Sequence, residues 1–306
     1  VNKLKGFRTF LRGFNMHYKE YVWNNGFFKL VRGNYSHFLL SGDPSYLLNW
    51  LIILYSKIFH KKVYLWCHGQ KSPVKRKLTR FYIRLFYAHV DGIFVYGEHV
   101  IPNMVDIGID KKKIHAIHNS LDTNVQTTLF DNIKPSTIYR DHFGNDNPVV
   151  IYIGRIQKRK KVDQLIKAVK ELYNENYPVN LVIVGAAMDD NTMEQVANDL
   201  GLSDQIWFFG PSFDEKQNSE LLYNADVCVS PGNVGLTCIH ALSYGTPVVS
   251  NDNFNTQMPE YEAVKDGVTG SFFKENDIKD MAKHIKKWTG LGSDERMKLR
   301  QEARET

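Results

Sequence analysis

The stretch VVIYIGRIQKRKKVDQLIKAV, Val149 to Val169, decides how this chain folds. Its opening VVIYI is an unbroken β-branched and aromatic run, the composition of a strand covered on both faces. From Val162 onward the apolar residues fall at 162, 165, 166 and 169, the spacing of one helical face. Between the two lie Gly154 and five cations, Arg155, Lys158, Arg159, Lys160 and Lys161. Strand, glycine turn and helix make one βα unit of a parallel sheet, where ligands bind beyond the carboxyl ends of the strands. A helix N-terminus already carries partial positive charge, so five cations beside it raise the local electrostatic energy unless an anion offsets them. A diphosphate held by the free N–H groups together with Arg155 and Lys160 offsets it. A solvated basic turn is the other reading that these residues leave open.

The same rhythm extends in both directions. Toward the C-terminus follow Asn180–Val184 and Gly185, then Met193–Leu200, Ile206–Phe209, Asn218–Tyr223 and Val227–Val229. The segment SPGNVGLTCIHALSYGTPVVS, Ser230 to Ser250, then reads as a strand end, a turn with Gly232, Asn233 and Gly235, a helix carrying His240, and a further strand. Glycines in such a turn let the backbone approach a ligand closely, whereas His240 within the helix reads equally as a buried structural residue. Toward the N-terminus, His37–Ser41, Lys62–Cys67, Gly92–Tyr96 and Ile114–His118 read as strands, with helices over Pro44–His60, Val74–Val90 and Val100–Ile107. His68 directly follows the strand KVYLWC and precedes Gly69. Residues 119–147, rich in Asn, Asp, Pro and Gly with little apolar periodicity, read as a connection. The fold class is therefore α/β, two doubly wound parallel-sheet domains over residues 1–145 and 146–306. Residues 1–35 show no strand followed by a Gly-rich turn, so the first half either lacks its opening βα unit or begins differently.

At 306 residues the chain is long enough for two cores. With 43% hydrophobic and 24% charged residues, disorder, collagen and coiled coil are excluded. Residues 1–145 hold 21 Lys and Arg against 9 Asp and Glu, a net +12, and the remainder holds 18 against 24, a net −6. The first half is thus drawn to an anionic partner. The longest apolar candidate for a membrane span, Tyr46 to Phe59, is too short and is interrupted by Asn49, Ser56 and Lys57. Three cysteines, no signal-peptide pattern and no span predict a cytoplasmic protein.

Residues 149–250 resemble the C-terminal half of the group 1 (family 4) glycosyltransferases, in VVIYIGRIQKRKKVDQLIKAV, NLVIVGAA, IWFFGP, LLYNADVCVSPGNVGL and HALSYGTPVVS, taken in order. Glu262 to Phe273 (EAVKDGVTGSFF) resembles the tail of that half, and Phe94 to Asp122 resembles the family's approach to its interdomain linker. The resemblance covers about residues 90–290. It implies two Rossmann-like domains facing across a cleft (the GT-B arrangement), with acceptor binding in the basic half and nucleotide-sugar binding in the other. It further implies that Arg155 and Lys160 hold the donor diphosphate, that Gly185 borders the nucleotide, and that His68 faces the donor sugar. Asn119 falls at the linker Asn. The loop of Gly232, Asn233, Val234, Gly235 and Leu236, with His240 after it, falls where the donor is bound. The family usually carries two glutamates eight positions apart, and these fall on Gly232 and His240, so neither carboxylate is present; Lys161 stands where the family prefers Gly. An imidazole still exchanges hydrogen bonds with a ribose hydroxyl, and loop N–H groups still contact a sugar.

The implied activity is retaining transfer of a hexose from a nucleotide sugar, UDP-linked in preference to GDP-linked, to a glycan or lipid-linked sugar in surface-glycan or polysaccharide biosynthesis. No D-x-D pair stands in a suitable place: Asp189-Asp190 are adjacent and Asn251-Asp252-Asn253 offers one carboxylate. No metal and no cofactor are expected, with Arg155 and Lys160 as the fixed positive charge at the leaving diphosphate. Lys71 to His89 places Leu78, Tyr82, Leu85 and Phe86 on one helical face and its cations mostly at the start. That pattern suits either an anionic bilayer on the inner face of the membrane or a helix packed on the sheet with a solvated basic face. No helix-turn-helix, RNP, KH or zinc signature supports nucleic acid, and no G-x-G-x-x-G supports a dinucleotide oxidoreductase. The alternatives are a nucleotide-sugar epimerase of the same architecture or a nucleotide-sugar-binding protein with impaired catalysis.

Overall fold

The computed structural model describes residues 15–18, 21–24, 27–188 and 192–305. The chain divides between His118 and Asn119 into two compact units. The first opens with an antiparallel pair, β1 (Asn15–Tyr18) and β2 (Tyr21–Asn24), and a short helix α1 (Phe27–Arg32). There follow β3 (His37–Ser41), α2 (Leu47–Ile58), β4 (Lys62–Cys67), α3 (Lys77–Ala88), β5 (Gly92–Val95), α4 (Ile101–Ile107) and β6 (Ile114–Ala116). Strands β3 to β6 pair in parallel in chain order. Val63, Leu65, Ile93 and Val95 are buried in their sheet against Ile53, Phe86 and Met104 of the helices. Each such side chain contributes about 1.5–3 kcal/mol by leaving water.

The second unit begins earlier than the sequence suggests. Residues 119–147, expected as a connection, hold α5 (Thr123–Asn132) and α6 (Ile138–Phe143). Both belong to the second unit, so the expected boundary at 145/146 moves to 118/119. Asp122 caps α5 through the Asn124 N–H, Phe130 meets the Tyr223 ring edge to face and lies under the Arg304 guanidinium, and the buried Tyr139 donates its hydroxyl to the Leu221 carbonyl. A few aromatic anchors hold these helices, which is why their sequence shows no apolar stripe.

The rest of this unit is β7 (Val149–Ile153), α7 (Val162–Asn174), β8 (Asn180–Val184), α8 (Met193–Asp199), β9 (Ile206–Gly210), α9 (Glu215–Asn224), β10 (Val227–Ser230), α10 (Thr237–Ser243), β11 (Val248–Asn251), β12 (Gly270–Phe273), α11 (Ile278–Thr289) and α12 (Ser293–Arg304). Its six parallel strands lie in the order β12-β11-β10-β7-β8-β9. Counted along the chain from the β9 edge this is 3-2-1-4-5-6, the Rossmann order, whose winding reverses between β7 and β10. Alternate residues of β7 serve opposite layers: Val150 and Tyr152 join Leu165, Ile166 and Val169, while Val149 and Ile151 join Leu221, Ala241 and Leu242. Covering on both faces accounts for the unbroken apolar run.

Candidate active site

At the reversal point two loops leave the sheet side by side, residues 154–161 after β7 and residues 231–236 after β10. Close backbone approach builds this region. A Cβ at Gly185 would stand 1.9 Å from the Gly154 carbonyl oxygen, and one at Gly232 would stand 2.2 Å from the Arg159 carbonyl oxygen and 2.6 Å from the Lys160 Cα. The Gly232 N–H donates to the Lys160 carbonyl at 3.0 Å. Position 232 therefore admits no side chain, glutamate included. Gly185 is required by packing between the loops, whatever else borders it.

The cationic turn is held in detail. Lys158–Lys160 form a single 3-10 turn, and Lys161 follows at φ 53°, in the left-handed region. That conformation costs a non-glycine residue about 1–2 kcal/mol, the physical basis for a glycine preference there. Here the Lys161 ammonium is engaged by Glu275 at 2.6 Å and the Asn276 side chain at 2.9 Å. Lys160 is half-buried and donates to the Asn233 carbonyl at 2.5 Å, joining the two loops. Burial first, then the Arg159 and Arg155 guanidinia, lower its pKa to about 8, against an upward pull from Glu260. Arg155 is exposed, and its carbonyl accepts the Tyr152 hydroxyl at 2.8 Å.

The loop after β10 corrects one expectation. The Gly232 N–H is committed to Lys160, and the N–H of the fully buried Val234 donates to Gln257 Oε1 at 2.7 Å. These two groups are internal braces, not free sugar contacts. The Asn251 side chain adds bonds to the Pro231 and Gly232 carbonyls at 3.0 and 2.7 Å. Gly235 has space around it, Leu236 is 37% exposed, and the Asn233 Oδ1 is buried with no partner among the described residues.

Two carboxylates that sequence reasoning missed stand in this region. Glu215, the first residue of α9, accepts from His240 Nε2 at 2.8 Å and from the Tyr244 hydroxyl at 2.6 Å. The imidazole thus presents its Nδ1 edge away from Glu215. Glu260, in the 3-10 turn Pro259–Ala263 after β11, is only 5% exposed, and its Oε1 accepts from the Asn119 side-chain amide at 2.5 Å. The second unit thus gathers Arg155, Lys160, Gly185, the 232–236 loop, His240 and Asn119.

His68 belongs to the first unit. It is exposed just beyond β4, its ring 4.8 Å from that of Tyr96, beside a cavity of about 440 Å³ that also takes in Ser41, Asp43, Gln70 and Tyr87. Gly69 has φ 65°, and a Cβ there would meet Val100 at 2.5 Å, so the turn after His68 is fixed by packing. Further along, α3 divides the residues expected on one face. Phe86 is fully buried, whereas Leu78, Phe81 and Leu85 are 79%, 64% and 39% exposed. Among the described residues no group of three or more His, Cys, Asp or Glu side chains is arranged to hold a metal ion, and no helix is long and apolar enough to cross a membrane. Asp189 and Asp190 lie outside the described residues.

Two parallel α/β units, one of them in Rossmann order with a cationic turn at its reversal point, define the GT-B fold class. The UDP complex of Alr3699/HepE from Anabaena has this fold with a TM-score of 0.70 at 18% identity, over 91% of this chain and 76% of that one. The apo lipopolysaccharide outer core galactosyltransferase WaaB gives 0.66 at 16%, over 87% and 69%. Residues 137–306 match the family described as Glycosyl transferases group 1, and the chain belongs to that family. Among curated relatives, the D-inositol 3-phosphate glycosyltransferase of Mycolicibacterium smegmatis is 30% identical over 190 residues, 58% of this chain and 40% of that protein. An uncharacterized 41.2 kDa protein in the cps region of Klebsiella pneumoniae is 26% identical over 205 residues, 64% of this chain and 51% of that protein. The chain spans about half or less of the length of these two relatives.

Proposed function

We propose that the protein transfers a hexose from a nucleotide sugar, UDP-linked, to a glycan or lipid-linked sugar acceptor, with retention at the anomeric carbon. One observation carries this reading: the cationic turn at the reversal point, where Lys160 is tied across to the loop after β10 and Arg155 remains exposed. An α/β sheet offers its ligand site there, and helix α7 starts directly behind it. Arg155 and Lys160 receive the diphosphate and stabilise the charge that grows on it as the sugar departs, which is electrostatic stabilisation by preorganised groups. His240, oriented by Glu215, meets the nucleoside with its free ring edge. His68 of the first unit serves the sugar being transferred, and the departing phosphate assists in deprotonating the acceptor hydroxyl. The choice of uracil draws support from UDP in relatives of the same fold, HepE among them.

The exposed Leu78, Phe81 and Leu85, flanked by Lys77 and Arg84, suit docking of α3 on an anionic bilayer, where a lipid-linked acceptor resides. The side-chain-free position 232 and the imidazole at 240 favour a second reading, a relative that binds the nucleotide sugar without transferring it, or that rearranges it. Measuring UDP release from UDP-sugars with and without acceptor separates these. Release that depends on acceptor supports transfer, binding without release supports the impaired protein, and a rearranged free sugar supports the epimerase. No binding of any UDP-sugar at millimolar concentration overturns all three.

A further inference from the structure

We propose that Glu275 is a positioning residue of the donor site: its clasp on the Lys161 ammonium holds position 161 in the left-handed backbone that shapes the cationic turn. The inference rests on the reading that a diphosphate binds at the 154–161 turn, and it names a residue outside the motifs that carry the family resemblance.

Lys161 stands at a junction. Its N–H donates to the Lys158 carbonyl at 3.1 Å, closing the 3-10 turn, and its own carbonyl accepts from the Gln164 N–H at 3.0 Å, opening helix α7. The conformation of this one residue therefore sets how Lys158–Lys160 leave the helix. At φ 53° that conformation is disfavoured for a residue bearing a Cβ, whereas glycine adopts it freely. A chain that carries lysine here needs compensation from outside the turn.

The compensation comes from the loop after β12, 114 residues along the chain. Glu275 Oε1 accepts from Lys161 Nζ at 2.6 Å, and Asn276 Oδ1 accepts from it at 2.9 Å. The ion pair is sheltered, with 25% and 27% of the two side chains exposed, so water screens it less than a pair at the open surface. Glu275 is itself fixed independently of the lysine. Its Oε2 accepts from the Asn253 side-chain amide at 2.7 Å, and its N–H donates to Asp252 Oδ1 at 2.9 Å. Asn276 Oδ1 also accepts from the Gln164 side-chain amide at 3.1 Å, tying the same loop to the first turn of α7. The Cα–Cβ direction of residue 161 follows its backbone, so a carboxylate anchored in this way favours the left-handed conformation from which it is reached.

With its ammonium committed there, Lys161 gives the site a shape rather than a charge. Lys160 beside it holds the Asn233 carbonyl at 2.5 Å and, on the proposed function, is the group that the diphosphate meets. Loosening position 161 lowers the fraction of molecules whose turn presents Lys160 correctly, and apparent affinity falls by that fraction.

The test is UDP affinity by titration calorimetry on the intact protein, comparing the wild type with E275A, K161A, K161G and the double variant K161G/E275A. E275A and K161A both strip the clasp from a residue that still bears a Cβ. Each should weaken UDP binding by about five- to thirtyfold, the population factor set by the cost of a left-handed non-glycine residue. K161G removes the clasp and the strain together, so it should bind UDP within about threefold of the wild type. Adding E275A to K161G should then change affinity by less than about twofold, because no strained residue is left for Glu275 to hold. Circular dichroism establishes that each variant is folded. A folded E275A that binds like the wild type, a K161G as weak as K161A, or a double variant that keeps the E275A deficit would each overturn the role of Glu275. K161A and K161G keep the proposal open to refutation if E275A does not fold, since those two differ only in the Cβ. An ion pair that merely stabilised the fold would shift the unfolding of E275A and leave the affinity of the folded protein unchanged. A wild type that binds no UDP at millimolar concentration overturns the functional reading and this inference together, whereas equal binding by wild type and E275A overturns the inference alone.

Discussion

The molecule has two basic segments of similar composition, the turn Arg155–Lys161 and the segment Lys71–Arg84, and they are built in opposite ways. In the turn, Lys160 is clasped by a carbonyl, Lys161 by Glu275 and Asn276, and the backbone is wedged against Gly232. In Lys71–Arg84, Arg80 is paired with Asp106, Lys75, Lys77 and Arg84 are exposed, and α3 turns Leu78 and Phe81 to solvent. On the proposed function, the contrast separates two uses of positive charge. A clasped, half-buried cation acts on one bound anion at fixed geometry, where the effective dielectric is low. An exposed set beside apolar side chains acts on an extended anionic surface, is screened by salt, and tolerates loss of any one member.

Substitutions can break or sharpen that contrast. The largest effect is expected in the turn: R155A and K160A should each lower kcat/KM by about 10²–10³, the usual effect of removing one preorganised donor to a developing oxyanion. Steady-state kinetics check this, with circular dichroism establishing an intact fold. Equal activity in both variants would remove the turn from the chemistry. Next, G185A should destabilise the protein by about 2–3 kcal/mol in urea unfolding, because its Cβ would collide with the Gly154 carbonyl oxygen, backbone that cannot rotate aside. On the exposed segment, L78E together with F81E should weaken pelleting with phosphatidylglycerol vesicles by at least about tenfold while leaving turnover on a soluble acceptor within about twofold. Unchanged pelleting would assign α3 to a merely solvated face. The smallest effect separates function from stability: K160M should raise unfolding stability at pH 7 by about 1 kcal/mol even as activity is lost. The folded-state pKa of Lys160 lies below its unfolded value, so at pH 7 folding bears the cost of keeping it charged. That cost fades as pH rises from about 8 to 10.5, and the K160M advantage should fade with it.

Much of this was legible in the residues themselves. The strands announce themselves because parallel strands covered on both faces are continuous apolar runs, as in VVIYI and NLVIV, and Arg155 and Lys160 stand out because strand, turn and helix place them. What escaped reading has a common cause, namely that it depends on contacts between distant positions. Helices α5 and α6 are secured by Phe130 on Tyr223 and Tyr139 on Leu221, about 80–90 residues away, and leave no periodic trace. Glu215 opens helix α9 and Glu260 sits in a short 3-10 turn, and nothing local marks the carboxylates as reaching His240 and Asn119. The physical reason for the family's glycine preference at position 161 emerged only with the left-handed backbone there.

The wedge between Gly232 and the 159–160 backbone limits which substitutions this chain can accept. A glutamate codon at 232 is not a neutral neighbour of the present sequence, since it would first require the adjoining turn to retreat. A carboxylate at that position cannot be gained in one step, and a saturation library there should return glycine almost alone among folded clones. Any gain of a carboxylate on this side of the crevice must enter through other codons.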